Sequence, residues 1–162
     1  MEPGLAARRA SRTLSRIRSL CPPCVLWAVV RTWFNGWCTL RRFQARQRHS
    51  CFLSSTCSGE DSIEHYLRCP IVHAVAAKKL RLLHLRRRPG DMLLLDGGYY
   101  DDSQLALTAV LLYAAYTSTN QLRHKDQRIS EAEGEKVVWC AVRKAGLQSR
   151  RLSGIINRIW VT

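Results

Sequence analysis

The stretch from Cys51 to Pro70, Cys-Phe-Leu-Ser-Ser-Thr-Cys-Ser-Gly-Glu-Asp-Ser-Ile-Glu-His-Tyr-Leu-Arg-Cys-Pro, brings Cys51, Cys57, His65 and Cys69 together within twenty residues. Three thiolates and one imidazole are the donor set of a closed tetrahedral zinc shell, which leaves no open position for water. A metal held in that way folds the chain and does not hydrolyse a substrate. Asp61, followed three residues later by Glu64, has the pattern of a capping box and predicts a helix running to Cys69. His65 and Cys69 would then stand at i and i+4 on one helix face. The other two ligands come from the preceding turn, with Ser54, Ser55 and Thr56 in the bend and Gly59 at its exit. Five residues separate Cys51 from Cys57, more than the usual zinc spacing of about two to four. His49 and His73 are rival ligands, and the plainer alternative is that the cysteines are small buried hydrophobes and His65 a surface histidine.

The run Asp61-Ser-Ile-Glu-His-Tyr-Leu-Arg-Cys-Pro70, with cysteines ahead of it, resembles the zinc-binding domain that follows the polymerase in non-LTR retrotransposon reverse transcriptases of protist type. The family pattern has two close cysteines, an acid-capped helix carrying Glu-His, and a last cysteine followed by proline. Asn35-Gly36-Trp37-Cys38-Thr39, Arg42-Phe43-Gln44, and the apolar segment Leu105–Tyr116 with Asn120 and Arg123 beyond it are similar to the flanks of such domains. The similarity spans residues 31–124, and the wide first cysteine pair departs from it. The resemblance implies a module that helps grip template RNA or target DNA, with no polymerase activity of its own.

Charge points the same way. The chain carries a net +14, and its first fifty residues hold ten arginines against a single acid, Glu2. No acidic residue occurs from Pro3 to Gly59, so the natural partner is a polyanion, RNA or DNA, held mainly through phosphates. A GC-rich coding sequence would also favour arginine, without any selection for phosphate binding. Arg31, Arg41, Arg42, Arg46 and Arg48 interleave with aromatic residues, and Arg86, Arg87 and Arg88 form a second cluster. Arginine forks grip phosphates while aromatic faces stack on unpaired bases. The bland reading is that Trp33 and Trp37 are core and that Arg86 to Arg88 merely answer a helix dipole.

Seven cysteines, an odd number, behind an arginine-rich leader argue against a disulfide framework. The expectation is a reducing compartment, intracellular and by preference nuclear, with organelle import as the alternative that an Arg- and Ser-rich start allows. No window reaches the roughly 18 apolar residues of a membrane span, so no membrane role is expected, nor a small-molecule substrate.

In order, residues 1–20 read as a disordered basic arm, with a transit peptide or upstream element sequence as rivals. Residues 21–50 hold a short helix, Val25–Phe34, stopped by Asn35-Gly36, and the Arg/aromatic segment. Cys21-Pro-Pro-Cys24 reads as a rigid turn; a second metal site from Cys21, Cys24, Cys38 and His49 is the alternative. Residues 51–88 hold the knuckle and a helix from Pro70 to about Leu85, residues 89–146 further helices, and residues 147–162 a basic and apolar tail. Tyr99-Tyr-Asp-Asp102 spells the metal box of reverse transcriptases, yet Asp101 with Gln104 three residues on reads as a helix cap, as does Ser130 with Glu133. The expected fold is mainly α with little β, a small helical domain organised around one structural zinc knuckle. The expected function is a zinc-stabilised nucleic-acid-binding module. A protein-interaction module or a degenerate element fragment is the alternative, with a metal-dependent nuclease using Asp91, Asp96, Asp101 and Asp102 behind both.

Overall fold

A computed structural model of the protein describes residues 3–39, 50–95, 99–125 and 127–159. Its elements are α1 (Pro3–Ile17), α2 (Pro23–Trp33), α3 (Ile63–Tyr66), α4 (Pro70–Leu80), α5 (His84–Arg87), a 3-10 turn (Pro89–Leu93), α6 (Asp102–His124), α7 (Glu131–Gly146) and α8 (Arg150–Arg158). Among the described residues the only β pairing is an isolated antiparallel bridge between Ser50 and Glu60. The fold is mainly helical, as the periodicities predict.

The centre is α6. Leu105 through Leu112 are all buried, because this helix is apolar on every side and must be surrounded. It is surrounded by α1, α2, α4, α7 and α8. Asp101 starts it with a capping box: its carboxylate accepts from Gln104 N at 2.8 Å while the Gln104 side chain accepts from Asp101 N at 3.1 Å. The Tyr-Tyr-Asp-Asp run is therefore a helix start, and its neighbour Asp102 pairs with Arg16 at 2.6 Å. Ser130 and Glu133 form the second expected capping box and open α7.

Residues 3–17 differ from the expected disordered arm. Pro3–Ile17 is helical, and Thr13 and Ile17 are buried on one face. Thr13 Oγ1 donates to Leu94 O at 2.9 Å, and Arg16 donates to the Tyr100 carbonyl at 2.5 Å. Arginine and serine content hides the helical spacing of Thr13, Leu14 and Ile17, and that spacing decides the outcome. The basic and apolar tail, whose packing the sequence leaves open, contains a helix. Residues Arg150–Arg158 form α8, with Leu152, Ile155 and Ile156 buried. Ser149 caps it by accepting from Leu152 N and donates its own hydroxyl to Leu20 O at 2.7 Å, tying the end of the chain to its beginning.

The helix expected to run to Leu85 stops at Leu80. Arg81 takes a left-handed conformation, φ 54°, and Leu82 N–H bonds back to Ala76 O at 2.9 Å. The Arg81 N–H turns back on the same Ala76 carbonyl, so the helix closes through a left-handed arginine where glycine is usual. Burial of Leu82 holds the turn in place. Trp37 is core, 1 % exposed, stacked on Tyr66 and met by a tilted Tyr116 ring.

Candidate metal centre

Three elements bring the four predicted ligands together. Cys51 N–H donates to Gly59 O at 2.7 Å next to the Ser50–Glu60 bridge, so the loop closes on itself like a small hairpin. Within it Cys57 N–H donates to Ser54 O at 3.3 Å and Thr56 N–H to Ser54 Oγ at 3.2 Å. This closed loop explains how two cysteines five residues apart face one point. The wide spacing is a property of the loop, with Cys51 as a true member of the cluster.

The third ligand arrives differently from expectation. Ser62, not Asp61, caps α3, its hydroxyl accepting from His65 N at 3.1 Å. The helix lasts four residues, and Cys69 lies beyond it as the N-cap residue of α4. His65 and Cys69 thus belong to two short helices with a turn between them. Pro70 forces the break, since it disfavours helical backbone at Cys69.

Asp61 has another task. Fully buried, it accepts from Tyr66 Oη at 2.7 Å, Arg123 Nη2 at 2.7 Å and Arg123 Nε at 2.9 Å. The Arg123 guanidinium also lies over the Phe52 ring, 5.4 Å from its centroid. Burial, then the neighbouring Asp61 charge, pushes the Tyr66 hydroxyl well above the usual phenol range. The knuckle is thereby bolted to α6. On its other side Ser55 N–H donates to Ile129 O at 2.8 Å and Thr56 Oγ1 to Glu131 Oε1 at 2.8 Å. There the Leu53 carbonyl abuts Gly134 of α7, where a Cβ would lie 2.0 Å from that oxygen.

The result is a cluster of Cys51 Sγ, Cys57 Sγ, a His65 ring nitrogen and Cys69 Sγ, all within 4.8 Å of one another. Cys51 Sγ and Cys69 Sγ are 3.7 Å apart; Cys57 Sγ and His65 Nε2 are 3.5 Å apart. Cys51 and Cys69 are fully buried. The hydrogen bond between those two sulfurs holds the Cys69 thiol down to about 5 and pushes Cys51 up. Burial pushes Cys57 up as well. Crowded thiols cannot all ionise beside one another unless a cation joins them, and a bound divalent metal supplies that charge. The four residues can hold one metal ion. No second group of three or more such ligands occurs among the described residues.

His73 is not part of the cluster; its Nε2 bonds the Leu67 carbonyl at 2.8 Å. The expected turn at Cys21 and Cys24 carries thiols facing Ala106 O and the Gln148 side chain. The carboxylates weighed for a nuclease are spent separately: Asp91 on Tyr100, Asp101 on its cap and Asp102 on Arg16. Asp96, His49 and four of the expected phosphate-binding residues, Arg41, Arg42, Arg46 and Arg48, lie outside the described residues.

Of the others, Arg31 donates to Tyr116 Oη at 2.6 Å and lies over that ring. Arg86, Arg87 and Arg88 are exposed around the end of α5. Arg86 joins Arg68, His73 and Lys78 in lining a cleft of about 400 Å³ beside the knuckle. No carboxylate lines it, although Lys78 also reaches Glu135 at 2.7 Å. Arg68 and Lys78 escaped sequence reading, and the position of Arg68 directly before the last cysteine was the available signal. Compared with known proteins, the chain matches no protein-family model, no curated protein and no solved structure. No helix among the described residues is long and apolar enough to cross a membrane.

Gly59 offers a test of the centre. A Cβ there would sit 2.0 Å from the His65 ring atoms Nδ1 and Cε1. Gly59→Ala is expected to displace the imidazole and weaken metal binding at least tenfold, read by competition with a chromogenic chelator. Unchanged affinity would show that the His65 ring is not held against Gly59.

Proposed function

We propose that the protein is a zinc-stabilised nucleic-acid-binding module derived from the C-terminal region of a retrotransposon reverse transcriptase. The zinc assignment draws on distances. A tetrahedral zinc with thiolates at about 2.3 Å and imidazole at about 2.05 Å has S–S edges near ~3.8 Å and S–N edges near ~3.6 Å. Two of the cluster's six edges, Cys51–Cys69 at 3.7 Å and Cys57–His65 at 3.5 Å, fit those lengths, and all four donor atoms lie within 4.8 Å of one another. Soft thiolate donors in tetrahedral array favour zinc over magnesium or calcium. With every position filled by protein, the metal's part is to hold the loop, α3 and the start of α4 in one arrangement. The retrotransposon descent draws on sequence resemblance alone, chiefly the Cys51–Pro70 pattern with its flanks across residues 31–124.

The observation that carries the nucleic-acid reading is the acid-free cleft lined by Arg68, His73, Lys78 and Arg86, against the metal knuckle on a chain of net +14. Exposed cations on a metal-braced surface suit a phosphate backbone, whose contacts position without reading sequence. Arg87 and Arg88 extend the same basic stretch.

The test is fluorescence anisotropy with labelled single-stranded RNA and DNA over a salt series. Replacing Arg68, Lys78 and Arg86 by glutamine should flatten the log K against log salt slope by about 0.7–0.9 per lost phosphate contact. Zinc content should stay at the wild-type value. A slope that does not move, or no binding by the wild type at low salt, contradicts the reading.

A further inference from the structure

The helix α2 is apolar on two faces. Val25, Ala28, Val29 and Thr32 are buried on one; Leu26, Trp27, Val30, Trp33 and Phe34 lie on the other at helical spacing. One face suffices for packing on α6. The second forms one wall of a groove of about 710 Å³, whose opposite wall is Ala7, Ala10 and Leu14 of α1. Trp27 is 66 % exposed and Phe34 81 %. Two large aromatic side chains that open on one groove lose considerable favourable burial unless something covers them. Trp33 is fixed on one side of the groove, its Nε1 donating to Leu93 O at 2.6 Å, and the wall facing it on α1 includes two small alanines.

We propose that this groove takes the apolar face of an acidic amphipathic helix from another protein. Shape and length fit, since α2 has 11 residues and so spans about 16 Å, room for about three turns of a docked helix. Charge selects the occupant. Arg18 lines the groove, and Arg8 and Arg12 are exposed on α1. Among the described residues no carboxylate lines the groove. A second copy would set +14 against +14, and the chain's own residues 40–49 bring four arginines and no acid. Both are electrostatically mismatched, whereas glutamates flanking a leucine stripe complement the rim. A lipid surface prefers a convex apolar face lying in the interface plane; here the apolar atoms line a concavity.

The experiment uses the full, metal-loaded chain and two fluorescein-labelled helical peptides of about 16 residues, alike in a leucine stripe at i, i+3, i+4 and i+7. One carries glutamate on its remaining face, the other lysine. The glutamate peptide should bind at least tenfold more tightly than the lysine peptide. Trp27→Ala combined with Phe34→Ala should weaken it at least tenfold, while metal content and RNA binding stay as in the wild type. Arg8→Gln, Arg12→Gln and Arg18→Gln together should remove most of its salt dependence. Equal binding of the two peptides, or wild-type affinity in the Trp27/Phe34 variant, overturns the proposal. So does a shift of Trp fluorescence on phosphatidylserine vesicles without any response to the glutamate peptide, which assigns the groove to lipid, or displacement of the peptide by RNA, which assigns it to nucleic acid.

Discussion

Cys69→Ser is expected to release a bound metal and melt the region from Ser50 to Pro70, because Cys69 is at once a member of the candidate metal cluster, fully buried and the N-cap residue of α4. Structural zinc in small peptides contributes an apparent 10–16 kcal/mol, roughly, against a total domain stability of about 5–15 kcal/mol. The loss should therefore spread beyond the knuckle. Three anchors lead outward from it: Ser55 to Ile129, Thr56 to Glu131, and Asp61 to Arg123. Hydrogen exchange should show protection falling first in residues 50–69 and then at the start of α7. A strong chelator added to the wild type should give the same pattern. An exchange profile unaffected by either treatment would mean that packing alone holds the loop.

Arg123→Ala should destabilise the protein by about 3–5 kcal/mol, the usual consequence of stranding one member of a buried ion pair. Asp61 would lose both guanidinium contacts while the Tyr66 hydroxyl stayed, and Phe52 would lose the guanidinium over its ring. Urea unfolding would report the change as a lower midpoint with an unaltered slope. Replacing both Asp61 and Arg123 by leucine should recover much of the loss, since a packed apolar pair of similar volume often substitutes for a buried ion pair. An Arg123→Ala variant within about 1 kcal/mol of wild type would place the pair among weak surface bridges and contradict the burial described.

Particular residues show which signals a single sequence carries. The clustering of Cys51, Cys57, His65 and Cys69 was legible because donor chemistry is written in residue type, and Cys, Cys, His and Cys in one short window have few other reasons to gather. The capping boxes at Asp101 and Ser130 were legible because both partners lie within one turn. Asp61 was misread for the same reason. It has the right neighbour at Glu64, but Arg123, sixty-two residues away, captures its carboxylate, and no local pattern announces that. The helix α1 was hidden by composition: its arginines outnumber the few residues, Thr13, Leu14 and Ile17, that dock it. Leu82 stops α4 by burying itself, a tertiary choice that overrides a continuous apolar stripe. The acid-free cleft and the groove are likewise assemblies of distant segments. Arg68 and Arg86, or Leu14 and Trp27, meet only in three dimensions.

The central claim is that Cys51, Cys57, His65 and Cys69 hold one zinc ion, and elemental mass spectrometry on protein purified without chelator tests it most directly, with Cys57→Ser prepared beside it. One zinc per chain, lost in the variant, is the predicted result. A wild type free of zinc, or a variant that retains it, would contradict the account.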